Sequence, residues 1–121
     1  MNKKILIVDD DPRNIFALKL TLKSRGYRTE SCTMAQEAID MLNKDQDFNV
    51  VLMDMMMPEM DGYEAIRVIR NMPSISQIPV IAVTAQAMPE DRQKCLDAGA
   101  QEYVSKPINV DQLISAIEKM I

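Results

Sequence analysis

Histidine and tryptophan are both missing from the 121-residue chain. Without an imidazole, Ser-His-Asp and Cys-His catalysis, His-ligated zinc and a phosphohistidine-carrier role are excluded, so acid–base chemistry falls to carboxylates or lysine. Cysteine is scarce: Cys32 and Cys95 stand far apart and form no CxxC pair. Neither a zinc site nor a disulfide framework is indicated, and reduced, buried thiols are expected. The few glycines, Gly26, Gly62 and Gly99, are isolated, which leaves no GxGxxG turn and no P-loop to cradle a nucleotide. Long apolar runs are also lacking. Lys3 and Lys4 imitate the start of a signal peptide, but Ile5 to Val8 is cut off at once by Asp9, Asp10 and Asp11. No membrane insertion and a cytoplasmic location are therefore expected. Lys and Arg number 14 against 18 Asp and Glu, a net charge of −4, so the surface on average repels phosphate backbones and direct nucleic-acid binding is not expected.

What remains is a composition suited to one folded domain spanning 1–121, with 47% hydrophobic and 26% charged residues. Short runs rich in β-branched residues recur at Ile5 to Val8, Thr29 to Cys32, Val50 to Met53, Val80 to Val83 and Tyr103 to Val104. They read as strands, mostly buried on both faces. Helical spacing lies between them. Ala35, Ala38, Ile39 and Leu42 recur at i, i+3, i+4 and i+7, as do Val110, Leu113, Ile114 and Ile117. A first helix starts at Pro12 with Ile15, Leu18 and Leu22 on one side and stops at Gly26, and a third follows Gly62 and ends before Pro73. A fourth, mostly polar and expected to be the loosest, runs from Pro89 to Gly99. Five β-α repeats imply right-handed crossovers and a doubly wound α/β fold, a five-stranded parallel sheet with helices on both faces.

In such sheets ligands bind at the carboxyl ends of the strands. There the sequence places Asp9, Asp10 and Asp11 after strand one, Asp54 after strand three, Thr84 after strand four, and Ser105 and Lys106 after strand five. Singly, each has a structural explanation: Asp11 before Pro12 has the pattern of a helix N-cap, Thr84 caps a turn, and Lys106 is a solvated surface lysine. Together they point to chemistry. Two carboxylates about 5 Å apart repel by about 3 kcal/mol at an effective dielectric of about 20, so the pair calls for a cation. An oxygen-only ligand set suits Mg²⁺, and Mg²⁺ suggests a phosphoryl ligand held also by the Lys106 ammonium and the Thr84 hydroxyl. Asp54 is then the candidate nucleophile, forming an acyl phosphate.

Ile7-Val8-Asp9-Asp10, Asp54 followed by Met57-Pro58-Glu59-Met60-Asp61-Gly62, Val83-Thr84-Ala85, and Lys106-Pro107 together resemble a CheY-like response-regulator receiver domain over essentially the whole chain. The resemblance implies a flavodoxin-like (β/α)5 fold with strand order 2-1-3-4-5. It implies that Asp54 accepts a phosphoryl group from the phosphohistidine of a sensor histidine kinase or histidine phosphotransfer protein. Mg²⁺ would be bound by Asp10, Asp54 and the Met56 main-chain carbonyl, with Asp9 acting through water or by positioning. Thr84, the Ala85 N–H and Lys106 would hold phosphoryl oxygens, and Lys106-Pro107 would be a cis peptide. Thr84 and Tyr103 would form the switch that reshapes the face of helix four, strand five and helix five. Met56 and Gln86 would tune hydrolysis, with self-hydrolysis in hours rather than seconds and a weak autophosphatase at most, so the protein is not expected to be an enzyme. A phosphorylation-dependent dimer is compatible with the resemblance, and the downstream target is not readable. Asp11-Pro12-Arg13-Asn14 resembles the start of helix one in hybrid sensor kinases.

Three other readings fit less well. A haloacid-dehalogenase-type phosphohydrolase needs a second acid two residues after its nucleophile, where this chain has Met56, and a cap domain that this length does not supply. A flavodoxin-like electron carrier needs a hydroxyl-rich phosphate loop where this chain has Asp9-Asp10-Asp11. A receiver-like interaction module that is never phosphorylated would be expected to have lost Asp54 or Lys106.

Overall fold

The computed structural model describes residues 3–85 and 88–121. Five strands, β1 (Lys4–Val8), β2 (Arg28–Cys32), β3 (Val50–Asp54), β4 (Val80–Thr84) and β5 (Glu102–Ser105), alternate with helices α1 (Pro12–Ser24), α2 (Ala35–Lys44), α3 (Gly62–Arg70), α4 (Pro89–Ala98) and α5 (Val110–Met120). The sheet is parallel throughout, in the order β2-β1-β3-β4-β5. Both the element order and the doubly wound architecture expected from the alternating patterns are present.

The inner strands are apolar on both faces because both are covered. Leu6, Val8, Val51, Met53 and Ala82 join the core under α2, α3 and α4. The alternate residues Ile5, Ile7, Val50, Leu52, Ile81 and Val83 join the core under α1 and α5. Period-two alternation thus feeds two cores rather than a core and a wet face. The edge strand β2 departs from this pattern, with Arg28 and Glu30 exposed.

Helix starts are set by short polar side chains. Asp11, Asp61 and Asn109 each accept a hydrogen bond from a first-turn N–H, those of Arg13, Glu64 and Gln112. Pro12 follows the first of these caps, as anticipated. Polar α4 buries only Cys95 and Ala98 fully. Its carboxyl end is held by Arg70, whose guanidinium donates to the Gly99 carbonyl at 3.0 and 2.8 Å and to the Ser76 and Ile78 carbonyls at 3.0 and 2.7 Å.

Both cysteines are buried and unbridged, and burial pushes the Cys32 thiol up to about 12, which keeps it protonated and unreactive. Most of the methionines fill or flank the cores: Met53, Met55 and Met57 are buried and Met41, Met60, Met72 and Met120 pack against them, while Met34, Met56 and Met88 are exposed. Among the described residues no helix is long and apolar enough to cross a membrane.

Candidate functional site

Parallel register brings the carboxyl ends of the strands to a common edge. Val8 lies beside Met53, Asp54 beside Val83, and Thr84 beside Ser105. The residues that follow or end these strands, Asp9, Asp10, Asp54, Thr84 and Lys106, consequently share that edge. The separations along that edge are short.

One ligand oxygen from each of Asp9, Asp10 and Asp54 lies within 4.8 Å of the others. The Lys106 Nζ stands 3.6 Å from Asp9 Oδ2 and 3.7 Å from Asp54 Oδ1. Asp9 and Asp54 are buried while Asp10 is exposed, so the third carboxylate forms the mouth of the site. Three carboxylates therefore face one ammonium, and each close carboxylate pair costs about 3 kcal/mol at an effective dielectric of about 20.

Asp54 carries the consequence. Burial pushes its carboxyl up to about 6 from the ordinary 3.8, with Asp9 and Asp10 adding to the rise and the Met56 N–H and Lys106 opposing it. Its Oδ1 accepts from the Met56 N–H at 3.1 Å, which holds the plane of the carboxylate. Asp9 is fixed differently. Its Oδ1 accepts from the Asp11 N–H at 2.9 Å and its Oδ2 from the Asn14 Nδ2 at 3.0 Å, so both oxygens are engaged by the first turn of α1. That arrangement suits a positioning role for Asp9 better than a direct ligand role.

Asn14 was not singled out from the sequence. The signal available was its place on the first turn of a helix beginning at Pro12, which returns its side chain to the strand-end acids. Thr84 is fully buried, and its carbonyl accepts from the Lys106 N–H at 2.8 Å, tying β4 to the lysine that faces Asp54. The Lys106-Pro107 peptide is cis. Ala85 is exposed at the same edge, Met56 is 53% exposed two residues beyond Asp54, and Tyr103 is half-buried on β5 opposite Ala82. Gln86 lies outside the described residues.

The donor set is made of hard oxygens with no sulfur or imidazole, and it carries more negative charge than Lys106 neutralises. Such a set fits a divalent cation of the Mg²⁺ kind. A pH-dependent linkage follows. Because the folded value for Asp54, about 6, lies above the ordinary 3.8, the folded state binds the proton more tightly. Its contribution to stability is present below about pH 4 and is lost as pH rises through about 6, where the charged carboxylate is left crowded. Millimolar Mg²⁺ at about ten times its dissociation constant is expected to add about 1.4 kcal/mol at pH 7.5, a rise of several degrees in melting temperature. At pH 5 the gain should shrink, since a proton then occupies Asp54. Calorimetry in Mg²⁺ and in EDTA at the two pH values checks this, and an equal shift at both would count against the site.

Comparison with known proteins gives the same direction. A family model for the response regulator receiver domain matches residues 5–118. The polar-differentiation response regulator DivK of Brucella ovis is 33% identical over 121 residues, covering 100% of this chain and 98% of that protein. The signal transduction histidine-protein kinase BarA of Escherichia coli K12 is 38% identical over 109 residues, which is 90% of this chain and 12% of BarA. The chain thus spans about an eighth of that kinase's length. Among solved structures, the receiver domain of sensor histidine kinase PA1611 of Pseudomonas aeruginosa superposes with a TM-score of 0.90 at 32% identity, covering 99% of this chain and 98% of that one. That structure holds a magnesium ion in its active-site cleft.

Proposed function

The chain belongs to the response regulator receiver domain family of two-component systems, and on that premise we propose that Asp54 takes up a phosphoryl group from the phosphohistidine of a sensor histidine kinase or histidine phosphotransfer protein. The observation that carries this reading is the convergence of Asp54, Lys106 and two further carboxylates at one strand-end edge.

Asp54 is the nucleophile. With Oδ1 held by the Met56 N–H and facing Lys106, Oδ2 is the oxygen presented for in-line attack. The new O–P bond forms as the P–N bond of the donor breaks, and the imidazole leaves with the electron pair. Lys106 shifts its ion pair from Asp54 to a phosphoryl oxygen, while the Thr84 hydroxyl and the Ala85 N–H take another. Asp10, Asp54 and the Met56 main-chain carbonyl would hold a Mg²⁺ ion, with Asp9 positioning its surroundings, and the bound ion would supply further charge neutralisation. No general base is required, in keeping with a site that has no histidine.

Drawing Thr84 toward the phosphoryl group opens space for the Tyr103 ring, and the α4–β5–α5 face changes with it. The exposed Met56 side chain shields the acyl phosphate without activating water, giving a lifetime of hours. We place the whole 1–121 unit in the cytoplasm as one receiver domain, a phosphoacceptor rather than an enzyme in its own right.

Incubation with acetyl phosphate and Mg²⁺ is expected to add one phosphoryl group, located by mass spectrometry on the peptide containing Asp54. Beryllofluoride should occupy the same position. If neither reagent leaves a mark there, the reading gives way to a receiver-like module that binds partners without being phosphorylated.

A further inference from the structure

Helix α1 presents more apolar surface than the core uses. Ile15, Leu18 and Leu22 are buried, yet Phe16 and Leu20 stand on the outer side at 65% and 56% exposure. They are one turn apart and form a single apolar ridge. Beside it a groove of about 610 Å³ runs between α1 and the edge strand β2, walled by Tyr27 and Thr29. Lys19 and Lys23 line the same groove, again one turn apart, and among the described residues neither makes a salt bridge. An uncompensated basic ridge next to an apolar one is unusual on a chain of net charge −4.

We propose that this α1–β2 face is a docking surface for an acidic amphipathic helix of a partner protein. Two parallel i, i+4 ridges, one apolar and one basic, match a helix whose apolar ridge seats beside Phe16 and Leu20 while its acidic ridge meets Lys19 and Lys23. A second copy of this chain is disfavoured as the occupant, since it brings no acidic ridge to meet Lys19 and Lys23: an antiparallel two-fold contact sets the lysines against one another and a parallel one sets them on the apolar ridge. An added strand is disfavoured too, because β2 carries exposed Arg28 and Glu30 along its length. Leu20 lies about 12 Å along the helix from Pro12, so the face is separate from the acceptor edge and its use does not depend on Asp54 chemistry.

The test uses the whole labelled chain and a synthetic helical peptide with Leu at i, i+4 and i+7 and Glu on both flanks. Amide shift changes are expected within residues 16–29, weakening as salt is raised. Lys19→Glu with Lys23→Glu should weaken binding about tenfold and transfer the preference to a Lys-flanked peptide. Phe16→Ser with Leu20→Ser, both at exposed positions where folding is unaffected, should remove it. Equal binding of the Glu and Lys peptides would overturn the proposal, as would shifts confined to the acceptor edge. Sedimentation showing that the face is covered by self-association would also overturn it.

Discussion

Asp54→Asn is expected to abolish phosphoryl uptake outright and, at the same time, to make the metal-free protein more stable at neutral pH. The two effects have one cause. In the wild type three carboxylates face the single Lys106 ammonium, and the buried Asp54 carboxyl is pushed up to about 6. A rise of about 2 units corresponds to about 3 kcal/mol held in the ionised form, and screening through the exposed Asp10 side reduces what is recovered to about 2 kcal/mol. An amide keeps the hydrogen bond from the Met56 N–H and drops the charge. Lys106 retains Asp9 at 3.6 Å, so no ammonium is left stranded. Most losses of a buried ion-pair partner destabilise, and the sign here is reversed because the carboxylates outnumber the cations. Urea denaturation in EDTA at pH 7.5 measures the gain, which should fade toward pH 4 as the wild-type carboxyl takes up its proton. A variant that loses both the adduct and stability would show that Asp54 is mainly a structural partner of Lys106.

Much of this site is legible in the sequence. Asp9, Asp10, Asp54, Thr84 and Lys106 stood out because parallel α/β chains leave the sheet at strand ends, and any polar residue there falls on one edge. Helix faces were equally legible: Ile15, Leu18 and Leu22 on α1 and Ala35, Ala38, Ile39 and Leu42 on α2 are the buried residues. Long-range geometry was not. The grip of Arg70 on the Gly99, Ser76 and Ile78 carbonyls joins segments whose proximity depends on how α3 and α4 pack. Asn14 reaching Asp9 depends on the angle at which α1 leaves β1. The surplus of α1 hid in plain view, since Phe16 and Leu20 are as apolar as the residues the core takes. Glu59, at φ 67, gives no compositional hint of its left-handed backbone.

Gly62→Ala is expected to destabilise the protein by about 3 kcal/mol or more, against the direction that helix propensity alone would give. Gly62 is the first residue of α3, where an alanine would ordinarily be welcome by up to about 1 kcal/mol. A Cβ there would meet the Met55 Sδ at 2.6 Å, the Met55 Cα at 2.7 Å and the Asp54 carbonyl oxygen at 2.8 Å. The methionine sulfur can swing away, but the other two atoms belong to the backbone of the acceptor segment. That backbone is pinned, since the Met55 N–H donates to the Val83 carbonyl at 3.0 Å and the Met55 carbonyl accepts from the Gly62 N–H at 3.2 Å. Relief therefore requires α3 to back away from β3 or Asp54 to shift, and either disturbs the carboxylate that the Met56 N–H orients. Gly26→Ala supplies the contrast. Its φ of 90 strains a side chain, but nothing lies within 4 Å of the added Cβ, so only about 1 kcal/mol of conformational cost is expected. Urea titrations of the two variants at one pH, each followed by acetyl phosphate labelling, separate the cases: Gly62→Ala should lose both stability and labelling, and Gly26→Ala should label as the wild type does. If Gly62→Ala proved the milder of the two, the close approach of α3 to the acceptor strand would not be what holds Asp54 in place.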